Sequence, residues 1–327
     1  MAKPSLAGRV SMSSLENVPP VVPQTKYSIF RGPNGIRTGW RLAAFLLMTG
    51  GTLWLGFFLT GPFLRRFGTG DATGLILSEL VLFAGVLIPT VIMSGLERRP
   101  FGVYGLPPGS AFGKNFWKGA LWGFVNLTLV MLCMIVVGVY SPGGLDLSTP
   151  QIIKYGLVWA VGFLLVGFAE EFLFRGYVLY TLTLGIGFWP AAIALSILFA
   201  AAHGRNPGET WMGLLGIVVI AIFLCVTVQR TGSLWFAVGI HMAYDWGESF
   251  FYSVPDSGTY INGHLLHARL GGSKWLSGGS VGPEGSIFAF IADITMLLLF
   301  VYLYREKRYP SLAESPRLTA ERTELQA

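Results

Sequence analysis

Residues Ala169 to Gly176 read Ala-Glu-Glu-Phe-Leu-Phe-Arg-Gly, which sets two carboxylates and a guanidinium inside a stretch otherwise apolar enough for a membrane interior. Each ionisable group there costs on the order of a few kcal/mol, so three within a few positions point to a functional site. Residues four apart share a helical face, so Glu171 and Arg175 can pair, whereas Glu170 is turned by about 100° and points elsewhere. Glu171 is then the clamped acid. An unpaired carboxylate in a dry setting holds its proton more tightly, which suits Glu170 to take a proton from water near neutral pH. The plainer alternative is a structural ion pair plus one spare acid facing a polar cavity. A buried pair is weak evidence for stability and leaves the second Glu without a purpose.

Two further polar sites lie downstream. The run Phe199-Ala-Ala-Ala-His203 ends an apolar stretch with an imidazole, and by itself such a His also fits a capped helix end. In His241-Met-Ala-Tyr-Asp245 the His and Asp share one helical face. The carboxylate can fix the imidazole tautomer, or both side chains can ligate a metal. Glu248 continues that stripe but falls nearer the helix end, where solvation is expected. Two His and up to three carboxylates suffice for a catalytic zinc with an open position, although the His-Glu-x-x-His pattern of the zincins is absent.

The elements that must position these groups are membrane helices. Hydrophobic residues make up 53% of the chain and charged residues 12%, far from the roughly 25% charged usage of soluble domains. Apolar runs at 40–64, 74–96, 116–140, 152–184, 188–203, 210–229, 233–253 and 285–304 predict an all-α, polytopic transmembrane bundle of about eight helices. The run 152–184 exceeds a simple span and must tilt or emerge partway. The net charge of +6 resides in the tails and short connectors beside these runs, which excludes nucleic acid as a partner. Arg37, Arg41, Arg98, Arg99, Arg305, Lys307 and Arg308 place both termini on the cytoplasmic side, against which Arg65 and Arg66 disagree. Cys133 and Cys225 lie in apolar runs as small hydrophobes. Residues 1–39 form a flexible cytoplasmic tail, 40–305 the membrane domain with its motif-bearing core at 152–250, and 306–327 a polar C-terminal tail. The long polar loop 255–284, with His264, His267 and Glu284, is either a lid over the site or a surface loop. Asn126-Leu-Thr128 lies mid-helix, so that sequon carries no glycan.

Taken in order, Glu170-Glu171-x-x-x-Arg175, Phe199-x-x-x-His203 and His241-x-x-x-Asp245 resemble the CAAX protease and bacteriocin-processing family of intramembrane proteases, also called the Abi family. The resemblance extends to type II CAAX prenyl proteases. It implies an endopeptidase in which Glu170 and His203 activate the attacking water, with His241 and Asp245 stabilising the oxyanion or completing the polar site. The third motif ends in Asp where an Asn is also found. An amide can donate to an oxyanion and an ionised carboxylate cannot, so Asp245 reads as orienting His241 or binding a metal. Metal use stays open between none and a divalent ion such as zinc.

The partners implied are membrane lipids and a peptide or protein substrate near the membrane, and the setting is a bacterial plasma membrane. Two other classes compete: a proton-coupled transporter or channel, which would spread its titratable groups along the membrane normal, and a non-catalytic scaffold or immunity protein.

Overall fold

The computed structural model describes residues 29–32, 35–68 and 70–309. Most of the tails expected at 1–39 and 306–327 lies outside them. The described residues up to Arg37 belong to a unit of their own, in which β1 (Arg31–Gly32) pairs antiparallel with β2 (Gly35–Ile36).

From Thr38 onward the chain is a helical membrane bundle. Its elements are α1 (Thr38–Leu64), α2 (Ala72–Glu97), α3 (Lys114–Val136), α4 (Thr149–Arg175), α5 (Tyr177–Ile186), α6 (Phe188–His203), α7 (Trp211–Thr231), α8 (Trp235–Trp246), the short α9 (Lys274–Ser277) and α10 (Ile287–Leu303). A two-residue ladder, β3 (Tyr140–Ser141) with β4 (Arg269–Leu270), ties the connectors together. Among the described residues, α1, α2, α3, α7 and the joined α4–α5 are long and apolar enough to cross a membrane, and α6 and α10 are shorter apolar helices. The outward faces carry Leu47, Leu55, Phe58 and Leu59 on α1 and Leu129 and Val136 on α3. Apolar surface that continuous is sustained by lipid rather than water.

The run expected as one helix at 152–184 is two. Gly176 separates α4 from α5: its N–H still reaches the Phe172 carbonyl at 3.1 Å, but a Cβ there would lie 2.3 Å from that same oxygen. The overlong segment is accommodated by a break after Arg175. The run 233–253 is also divided, since α8 passes into a wider π-turn over Gly247–Phe251. Such turns rotate the residues that follow relative to the helix before them.

At the centre lies α8, whose residues from Trp235 to Ile240 are all buried. It runs parallel to α3 and antiparallel to α4, and small residues set the separations. A Cβ at Gly119 would meet the Phe236 carbonyl at 2.1 Å, and one at Gly123 the Ile240 carbonyl at 2.3 Å. From the other side, a Cβ at Gly239 would sit 2.2 Å from the Phe116 carbonyl. Without water between helices, association rests on this close van der Waals packing and on interhelical hydrogen bonds. One such bond joins α3 to α10, Asn126 Nδ2 donating to Asp293 Oδ1 at 2.7 Å, so the apparent sequon residue is a buried structural amide.

The basic residues gather largely at one end of the bundle. Arg41 pairs with Glu97, which also accepts from Tyr177. Arg99 donates to Tyr180 at 2.6 Å, and Arg230 donates to the Arg305 carbonyl. Arg65 and Arg66 stand at the other end of α1.

Replacing Gly123 by Leu is expected to drive α3 from α8, at a cost of about 1–3 kcal/mol or more. The yield of monodisperse protein on size-exclusion chromatography of membrane extracts should fall several-fold, while Leu129→Ala on the lipid face leaves it unchanged.

Candidate active site

Two helices, α6 and α8, converge on the acids of α4. Glu171 is fully buried, and one of its oxygens, Oε1, accepts from Arg175 Nη1 at 3.1 Å and from His241 Nδ1 at 2.9 Å. The pairing expected from helical spacing therefore forms, and the same carboxylate also fixes an imidazole on α8. Arg175 is buried as well, and its guanidinium lies over the Phe199 ring, 4.3 Å from the centroid. Phe199 thus connects the second motif to the first: its ring covers the cation, and its carbonyl sits 2.8 Å from His203 Nδ1. A carbonyl only accepts, so Nδ1 carries the proton and the Nε2 lone pair of neutral His203 faces the site.

Glu170 faces both imidazoles. Its Oε2 lies 3.9 Å from His203 Nε2 and 3.8 Å from His241 Nε2, and this buried oxygen has no hydrogen-bond partner among the described residues. Asp245 Oδ2 stands 3.4 Å from the same His241 Nε2. All six residues singled out in the sequence therefore form one cluster. The tautomer of His241 is held by Glu171 at Nδ1, with Asp245 on the opposite nitrogen.

Glu170, His203, His241 and Asp245 border a cavity of about 270 Å³ whose walls include Phe163, Val166, Ile220 and Leu224. Part of its boundary comes from the long polar connection: Asp256, Ser257, Thr259, Ile261 and Glu284 all line it. His264 and His267 turn elsewhere, lying 3.5 and 2.8 Å from Asp146, and anchor that connection to the segment before α4.

Burial pushes the Glu284 carboxyl up to about 8, with Asp256 and Glu209 adding to the effect. Burial likewise pushes Asp256 up to about 6, against the opposing influence of His241.

Residues 153–247 match the family model of type II CAAX prenyl endopeptidase Rce1-like proteins. That segment, less than a third of the chain, is similar to the CAAX prenyl endopeptidases. The matched stretch contains all six residues of the cluster. No match appears among the curated proteins or among the solved structures.

Several acids around the cavity escaped the sequence reading. Glu79 on α2 and Asp293 on α10 also line the cavity; a lone acid within an apolar span was the available signal. Glu248, expected to be solvated near the helix end, is fully buried, because the π-turn swings it inward beneath the loop. Among the described residues, the one set of three metal-ligand atoms lying within 4.8 Å of each other is Glu248, Asp256 and Glu284. No three of Glu170, Glu171, His203, His241 and Asp245 approach one another that closely.

Glu171→Gln removes the charge that both Arg175 and His241 require, and breaking a buried pair typically costs about 3–5 kcal/mol. The yield of folded protein should fall well below that of Glu170→Gln, whose carboxylate has no such partners. Equal yields from quantified membrane preparations would overturn this division of roles.

Proposed function

We propose that the chain is an intramembrane endopeptidase that hydrolyses a peptide bond near the membrane surface with a water activated by Glu170 and His203. The observation that carries this reading is the single unpartnered oxygen of Glu170, flanked at 3.9 and 3.8 Å by two imidazole nitrogens. Those separations exceed direct hydrogen bonds and suit a water bridging carboxylate and imidazole.

The chemistry follows from donors and acceptors. The water donates one hydrogen to Glu170 and the other to the Nε2 lone pair of His203, which aims its oxygen at the scissile carbonyl carbon. As the C–O bond forms, Glu170 takes the first proton and the carbonyl becomes an oxyanion. His241 in its imidazolium form donates from Nδ1 to Glu171 and from Nε2 to that oxyanion. Asp245 accepts only, so it orients His241 rather than binding the oxyanion itself. Breakage of the C–N bond then returns the proton from Glu170 to the departing amine.

Arg175 acts through Glu171 as a positioning residue. The titratable groups meet at one oxygen, as a hydrolase needs, whereas a proton relay would string them across the membrane. The substrate is a membrane-proximal peptide or protein entering between the apolar cavity walls, and the setting is a bacterial plasma membrane.

Glu170→Gln is expected to reduce cleavage of a membrane-proximal peptide by about 10²–10⁴-fold while leaving the melting temperature of the purified protein unchanged. Asp245→Asn, which keeps a hydrogen-bonding group of the same shape, should stay within roughly tenfold of the parent. Activity of the parent and of Asp245→Asn should persist in a chelator selective for zinc over calcium and magnesium. Loss of activity in that chelator and recovery on adding zinc would overturn the metal-free mechanism.

A further inference from the structure

Beside the catalytic cluster, and using none of its residues, lies a second group of acids. Glu248 in the π-turn, Asp256 in the following loop and Glu284 just before α10 each bring one carboxylate oxygen within 4.8 Å of the others. We propose that these three carboxylates bind a hard divalent cation, which ties the 252–285 loop to the end of α8.

The decisive residue is Glu248. It has no exposed surface, and neither of its oxygens accepts a hydrogen bond among the described residues. The backbone amide of Glu284 faces it without hydrogen-bonding geometry. None of the three acids forms an ion pair with Lys, Arg or His among the described residues. A fully buried carboxylate with two empty acceptors beside two more carboxylates is highly unfavourable unless something positive lies between them.

The other two acids are held as ligands usually are. Ser257 donates to Glu284 Oε1 from its amide at 2.9 Å and from its hydroxyl at 3.2 Å. Ser249 Oγ donates to Asp256 Oδ2 at 3.2 Å. In each case one oxygen is fixed by a neighbour and the second is left available, the arrangement by which outer hydrogen bonds orient ligands. Gly282, at φ 122°, lets the loop close over the cluster, since a Cβ there would lie 2.1 Å from the Pro255 carbonyl and 3.1 Å from Glu248 Oε1.

An all-carboxylate donor set selects magnesium, calcium or manganese over zinc, which takes nitrogen and sulfur more readily. The ion would sit where Asp256 and Glu284 also border the catalytic cavity, so its role is to hold the cavity wall against the helix that carries His241 and Asp245.

The test uses the full-length protein purified in detergent, stripped with EDTA and dialysed at pH 7.5. Calcium, magnesium, manganese and zinc are then titrated separately by isothermal calorimetry, with thermal unfolding followed by intrinsic fluorescence. One of the three hard cations should bind with a stoichiometry near one and raise Tm by roughly 5 °C or more at saturation. Glu248→Gln, which discharges the buried group, should melt above the stripped parent and lose the cation response, with affinity at least about tenfold weaker. Glu284→Gln should weaken binding similarly, and Glu306→Gln, a change at an exposed acid, should leave it intact. Absence of saturable binding to the parent, preference for zinc, or unaltered binding by both Gln variants would each overturn the proposal. Because the readouts are heat and Tm rather than cleavage, its failure is separate from that of the proposed peptidase reaction.

Discussion

A single carboxylate oxygen, Glu171 Oε1, receives both the Arg175 guanidinium and the His241 imidazole. In water either contact would be modest, but with Glu171 and Arg175 both fully buried neither charge can be left alone without severe desolvation. The pair therefore dictates where α8 sits relative to α4, and Phe199, by covering Arg175, brings α6 to the same point. Helices far apart in sequence are fixed around one ion pair, and the neighbouring Glu170 inherits the space between them.

That arrangement divides two adjacent and chemically identical side chains. Glu171 has one oxygen held by Arg175 and His241 and serves as a rigid support, while Glu170 has no such pair and directs a buried oxygen between two imidazoles. Packing supplies the precision. The glycine contacts of α3 with α8 bring backbones close enough that α8 cannot slide without a clash, so His241 is held from behind as well as by Glu171. The opposite edge of the cavity is formed by the loop after α8, which His264 and His267 moor to Asp146. That loop is a wall of the cavity, with Asp256 and Glu284 facing inward.

Several features followed from sequence alone for reasons that are local. The spacing of Glu171 and Arg175 made their pairing a property of one helix turn. Hydropathy located the apolar runs, because a span of lipid demands a certain length of unbroken apolar residues whatever surrounds it. The order of the Glu-Glu-x-x-x-Arg, Phe-x-x-x-His and His-x-x-x-Asp motifs pointed to the family whose model residues 153–247 match. The break at Gly176 was legible only as excess length, since nothing in an apolar run states where it will bend.

Other features depended on the neighbours that each side chain acquired in the folded bundle. Helical geometry placed Glu170 away from Glu171 but could not say that α6 and α8 lie on that side and direct both imidazoles to it. Glu248 read as a solvated acid because position along a helix predicts exposure only if the helix continues regularly into water. Here the π-turn rotates it inward and the loop closes over it. Periodicity, spacing and composition are set by the chain itself. Burial, and which carboxylate is left without a partner, are set by contacts between segments distant in sequence, and only the tertiary structure decided those.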